Sequence, residues 1–201
     1  MAMPQRSAFI LYCVTLRYLN ARYRALALLA LSLLFGILTA CTTAQVQGLP
    51  AELDKSASWA LLPILNLTET PQAGLRAEAI LESLIRAGGV RNLRRYPSSF
   101  NTESIFDPVE RKAQEQALVW AKSEKIRFAI SGTVDEWRYK VGVDGEPAVG
   151  LTLQIQDLNT GAVIWTAAGS KSGWSREALS AVAQKLIAQL TAPINATPSS
   201  K

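Results

Sequence analysis

The stretch "RYRALALLALSLLFGILTAC", residues 22–41, decides how much of this chain is left to fold. Basic residues precede an apolar run over 25–38, and small residues follow it before Cys41. That order is the pattern of an N-terminal export signal. The run is short for a spanning helix, which needs about 20 apolar residues. An uncleaved anchor is the competing reading. Residues 1–40 are read as a signal peptide, and the folded protein is expected to lie downstream of them.

The end of the run, Leu38-Thr39-Ala40-Cys41, resembles the bacterial lipobox, in which the peptidase cuts before the cysteine and the cysteine carries the lipid. The resemblance implies a mature chain that begins at Cys41, bearing palmitate-type acyl chains. Thr42 follows where an Asp would retain the protein elsewhere, and in enteric-type sorting this resembles an outer-membrane address. Cys13 would leave with the signal and Cys41 would be acylated, so the mature protein has no thiol pair for a disulfide or a metal. Its stability must come from its core.

The sequence pI of about 9.4 suggests a basic protein, but the charge is unevenly placed. Arg6, Arg17, Arg22 and Arg24 lie in the first forty residues, which contain no acid. Setting those four aside, the 21 Lys and Arg fall to 17 against 16 acids. The near-neutral remainder lacks the basic excess that nucleic-acid binding requires.

Enzyme classes drop out one by one. The chain has no histidine, which excludes Ser-His-Asp and Cys-His catalysis and His-based zinc sites. "RAGGVRN" is a helix terminator, and no phosphate-cradling glycine loop occurs. A glycosidase needs two carboxylates across a cleft. Asp135 and Glu136 are neighbours on an expected strand, which points them to opposite faces. Ser170-Lys171-Ser172 has nothing beside it to support Ser/Lys chemistry. The expectation is a protein without catalytic residues, metal or cofactor other than the lipid.

Residues 42–57 lack periodicity and read as a flexible tether; 192–201 read as a disordered tail. A globular domain is expected over 58–191. Residues 58–67 form an apolar run of strand length whose Pro63 implies an edge or a bulge. Thr70-Pro71 caps a helix reaching Ala87, with Ala77, Ile80, Leu81, Leu84 and Ile85 on one stripe and Gly88-Gly89 ending it. A short basic strand is expected over 90–97. Asp107-Pro108-Val109-Glu110 has capping-box spacing and opens a second helix to about Glu124. It is expected to bury Val109, Ala113, Ala117, Trp120 and Ala121. Residues 126–135 and 148–158 alternate as strands, Asn159-Thr160-Gly161 turns, and 162–169 returns as a strand. A last helix spans about 176–190. The order β-α-β-α-β-β-β-α reads as one small α/β domain with helices packed on a mixed sheet.

Three surface features draw attention. The hairpin tip between two of these strands carries Asp144 and Glu146; Asp-Gly is a common turn pair, so the acids are either a turn or an acidic surface. Its aromatic and apolar flanks would suit a subunit interface. Trp174 either staples the last helix onto Leu179, with Ser175 as N-cap, or is exposed at a membrane interface. Arg91, Arg94 and Arg95 either blunt a strand edge or meet anionic headgroups or an acidic neighbour.

The blocks "LLPILNLTETPQAG", "SGTVDEWRYKVGVDGEPAVGLTLQIQDLNTGAVIW" and "GSKSGWSREALSAVAQKL" resemble, in this order, the PelC lipoproteins of Pel-type exopolysaccharide export. The resemblance implies a TolB-N/CsgG-like α/β fold. It also implies a homo-oligomeric ring, of twelve copies in that family, at the periplasmic face of the outer membrane beneath an outer-membrane β-barrel porin. It implies a cationic polysaccharide drawn through an acidic aperture. On that pattern Asp144 and Glu146 match the aperture acids, Trp174 matches the membrane-facing aromatic, and either Arg127 or Arg138 matches a basic residue at the subunit interface. The rival expectation is a lipoprotein of similar fold that activates a cell-wall synthase.

Overall fold

The computed structural model describes Tyr23 and residues 42–47, 53–97, 109–142 and 145–196. The chain divides into two compact units, Met1–Ala40 and Cys41–Lys201, and the sheet and its helices belong to the second. In chain order these are β1 (Thr42–Gln47), β2 (Trp59–Asn66), α1 (Ala73–Ala87), β3 (Leu93–Arg95), α2 (Val109–Ser123), β4 (Phe128–Tyr139), β5 (Pro147–Asp157), β6 (Val163–Ser172) and α3 (Leu179–Ala196). They build one sheet of order β1-β6-β5-β4-β2-β3. The helical crossovers make β2 parallel to β3 and β4, and the short turns make β4, β5 and β6 an antiparallel meander. The expected mixed α/β order is present, preceded by one additional strand.

Alternation along the strands sends Trp59, Leu61, Ile130, Leu153, Ile155 and Trp165 to one face, under α1 and α3. The apolar stripes of those helices meet them: Ala77, Leu81 and Ile85 from α1, and Val182, Leu186 and Leu190 from α3, are all at most 1 % exposed. The other face is covered only in part. There α2 lays Ala117 and Ala121 over Ala60, Leu62 and Ala129. Ala113 and Trp120 are half-buried, and the side chain of Val109 and the Asp107 capping box lie outside the described residues. Beyond α2 this face presents Thr43, Thr133, Gln154, Thr166 and Ser170, a polar surface.

Pro63 marks a bulge, because it has no N–H for the ladder and the β2–β4 register shifts between Leu61 and Ile64. Glu78 of α1 accepts the freed Ile64 N–H at 3.0 Å through Oε1 and holds Arg95 of β3 at 2.6 Å through Oε2. Arg94 pairs with Glu124 at 2.7 Å and lies over the Trp120 ring. Two of the three strand-edge arginines are thus engaged within the domain.

Several boundaries differ from the sequence reading. The tether expected over 42–57 is not one. Residues 42–47 form β1, paired antiparallel to the outer edge of β6, and Leu53 is buried. Lys55 is buried too, and donates to carbonyls at the C-terminal ends of two helices, Gly88 O, the cap of α1, at 2.9 Å and Asn195 O of α3 at 3.1 Å. Burial alone holds its ammonium below the ordinary lysine pKa. The expected tail is shorter, since α3 continues through Pro193 to Ala196 to bury Thr191 and Ile194. The basic strand shrinks to three residues. Helix α1 starts at Ala73 rather than at Pro71, because Gln72 takes a left-handed φ of 59°. Helix α3 starts at Leu179 rather than at Arg176, whose φ of 70° is also left-handed.

Candidate functional site

The fold gathers its least conventional surface at one end of the sheet. Strands β4 and β5 outrun their neighbours there and close a hairpin, with Lys140 N–H bonded to Glu146 O at 2.7 Å and Gly145 at a φ of 51°. Asp144 lies outside the described residues. Glu146 is half-exposed, and the Lys140 ammonium stands 3.9 Å from it while donating to Ser172 Oγ at 2.7 Å. The tip is therefore not purely acidic: the Lys140 cation lies beside Glu146, and along the sequence from Lys140 to Glu146 one base stands against two acids.

A bulge between Val134 and Glu136 sets the faces of this hairpin. It reverses the parity of β4, so Trp137 turns into the core while Asp135 and Glu136 share the open face. The expectation that those two acids point to opposite faces is corrected by that inserted residue. Asp135 accepts from Thr133 at 2.6 Å and Thr152 at 2.8 Å. Glu136 holds Arg138 at 2.9 Å. Both carboxylates are committed to neighbours on the sheet. A shallow depression of about 140 Å³ between Gln114, Thr133, Thr152 and Gln154 lies on this face. Among the described residues no group of three His, Cys, Asp or Glu side chains could hold a metal.

Trp174 belongs to the same end. It is 65 % exposed, and Gly173 beside it donates to Pro147 O at 2.8 Å, at the base of the hairpin. The staple with a Ser175 cap does not form, because Arg176 breaks the helical path before Leu179. Glu177 fixes the turn instead: its carboxylate accepts Trp174 N–H at 3.2 Å and Lys185 Nζ at 2.6 Å. The lysine bond first, then the backbone bond, hold the Glu177 pKa below its ordinary value. Tyr139 completes the joint, its hydroxyl accepting Leu179 N–H at 3.2 Å. Since the Trp174 ring supports little of the fold, Trp174→Ala is expected to leave thermal stability within about 0.5 kcal/mol of wild type. We propose that the indole ring meets lipid headgroups: in protein carrying a lipid on Cys41, its loss should lower partition onto vesicles about fivefold, for roughly 1 kcal/mol of apolar burial. Flotation and thermal unfolding of the same preparation check this; a large stability loss would return the tryptophan to a structural role.

The two candidate arginines sit at opposite ends of β4. Arg127 lies over Phe128, 3.7 Å from Asp54 and 3.9 Å from Asp157. Arg138 is the more open, with 63 % of its side chain exposed and Glu136 as its partner. Tyr139 is among the aromatic flanks the sequence offers for an interface, and Lys140 is the base nearest the acids in sequence; the bond from Leu179 N–H to the Tyr139 hydroxyl and the parity change before Trp137 left no sequence signal.

What these elements define is a small mixed-sheet α/β domain that presents an acid-bearing hairpin and an exposed tryptophan at one end. No family model matches the chain, and no curated protein does. Among solved structures, the PelC dodecamer from Paraburkholderia phytofirmans shares 41% identity with a TM-score of 0.66, covering 79% of this chain and 100% of that one. A leucine-to-methionine variant of that dodecamer shares 42% identity with a TM-score of 0.65, covering 76% of this chain and 97% of that one. The chain belongs to the PelC family.

Proposed function

We propose that this protein is a lipid-anchored, ring-forming accessory of exopolysaccharide export at the periplasmic face of the outer membrane, and that it carries out no catalysis. Its Cys41 takes the lipid, and its partners are further copies of itself, an outer-membrane β-barrel porin and a cationic Pel-type polymer. The observation that carries this reading is the 41% identity over the whole length of a PelC chain solved as a dodecamer. The hairpin supports it. Glu146 is held out on a tip with Asp144 two residues before it in sequence. A ring repeats that tip around its axis and turns its acids into a belt. Such a belt concentrates and guides a cationic chain, and each solvated contact is weak enough to release it. Arg138, exposed on the open sheet face, is the better placed of the two arginines to meet a neighbouring subunit.

The test is Asp144→Ala with Glu146→Ala in one chain. Secreted polymer is expected to fall severalfold while palmitate labelling, unfolding midpoint and ring size stay at wild-type values. Normal secretion from the double variant would sink the guidance role.

A further inference from the structure

The hairpin tip carries a cation of its own, and the domain fixes where that cation stands. Lys140 follows the last residue of β4, and its N–H bonds to Glu146 O at 2.7 Å, so the two side chains face each other across the closing rung. The base of the hairpin is held on both strands. The Tyr139 hydroxyl accepts Leu179 N–H at 3.2 Å, and Pro147 O accepts Gly173 N–H at 2.8 Å. From this base the lysine stem passes β5, and its ammonium donates at 2.7 Å to the hydroxyl of Ser172, the last residue of β6. Glu146 Oε2 lies 3.9 Å from the same nitrogen. The ammonium is therefore bonded to a neutral hydroxyl and only stands near the carboxylate.

We propose that Lys140 is a built-in counter-ion of the tip: it stands beside Glu146 where an ammonium of the transported polymer would bind, and so sets how weakly each subunit holds that polymer. The inference rests on the reading of the tip acids as the polymer's contact, and it adds the residue that tunes them. The lysine head and the amine of a deacetylated amino sugar are the same chemical group, a primary ammonium. An incoming one meets a carboxylate already partly neutralised and, once bound, keeps a like charge beside it. Lys140 gives up no hydrogen bond in the exchange, because Ser172 is its closer partner.

The pair is suited to rapid exchange. Both side chains are about half exposed, and exposed ion pairs are weak and screened by salt. A neutral, acetylated sugar has no charge with which to compete, so the lysine also favours charged stretches of polymer over neutral ones. A ring adds up its contacts, and acids without their counter-ion would hold the chain on many subunits at once. Lys140 keeps that sum low enough for the chain to move on.

The test uses the full chain, exported and processed in cells and purified in detergent. The probe is a fluorescent glucosamine hexamer, with its N-acetylated counterpart as the neutral control. Lys140→Gln should bind the glucosamine hexamer about fivefold more tightly at low salt, the effect of one like charge about 4 Å away in water. The gain should shrink at about 1 M salt, where screening acts within roughly 3 Å. Lys140→Arg should return the affinity to wild type or below. Ser172→Ala, which leaves the ammonium only Glu146, should bind more weakly than wild type. Affinity for the acetylated hexamer should not differ among the variants. In cells, Lys140→Gln should secrete severalfold less polymer and leave more of it in the periplasm. Weaker or unchanged binding of the glucosamine hexamer by Lys140→Gln assigns the lysine to stitching the hairpin and overturns the inference, as does wild-type secretion from that variant. Those results overturn the inference alone when Asp144→Ala with Glu146→Ala abolishes hexamer binding. If that double variant binds as wild type does, the acids are not the polymer's contact, and the proposed guidance role falls together with the inference.

Discussion

Glu78→Ala is expected to cost the domain about 3–5 kcal/mol, the loss seen when one partner of a buried pair is removed. Glu78 is only 5 % exposed and serves two elements at once. Its Oε1 receives the Ile64 N–H that the Pro63 bulge takes out of the ladder, and its Oε2 receives Arg95 from the edge strand β3. Alanine leaves the N–H without an acceptor and the guanidinium, two-thirds buried, without a counter-charge. Glu78→Gln keeps an acceptor for Ile64 and should lose less. The exposed pair of Arg94 and Glu124 is the contrast: Glu124→Ala should cost no more than about 1 kcal/mol. Urea unfolding of the chain from Thr42 onward ranks the three. Similar losses for Glu78→Ala and Glu124→Ala would remove the claim that burial and double duty set the cost.

Trp137→Ala carries the second large effect, about 3–5 kcal/mol from loss of a buried indole and the cavity left behind. Trp137 is 2 % exposed and pairs across the ladder with Val149 just past the bulge, and its carbonyl accepts the Thr70 hydroxyl from the loop before α1. It is the last large core residue before the chain runs out into the hairpin tip. Its removal should therefore also speed amide exchange over 138–140 and 146–149 more than over β6. Hydrogen exchange followed by mass analysis measures that spread. A uniform increase across the sheet would mean that Trp137 supports the whole domain and does not specifically seat the tip. Compared with the small change expected for Trp174→Ala, the pair separates an indole that builds the domain from one that the domain displays.

Much of the fold was legible because burial leaves a period in the sequence. The alternation of β4 and β5, the stripe of α1 and the Pro63 bulge all follow from side chains that must reach a core. β1 left no such trace. Thr43, Ala44 and Gln45 are all exposed, so no apolar face marks the strand. Its pairing is decided by the open edge of β6, more than a hundred residues away in the chain. The parity reversal before Trp137 was equally silent, since a bulge inserts a residue without changing composition. The start of α3 was misplaced because Ser175 and Glu177 make a plausible cap on paper. In the folded chain Arg176 adopts a left-handed backbone, and Glu177 spends its carboxylate on Trp174 N–H and Lys185. The candidate acids were readable as residues, and the neighbouring Lys140 as well, but their balance depends on how the hairpin closes.

The antiparallel pairing of β1 with β6 also has a mechanical meaning. A pull applied at Thr42 along the strand axis does not open the ladder rung by rung. It slides β1 lengthwise against its neighbour, so all six paired positions bear the load together. Peeling the same strand sideways would break them singly and at much lower force. A domain tethered through this strand resists tension best along the direction from which a membrane-bound anchor would draw, and yields most readily to a load applied across it.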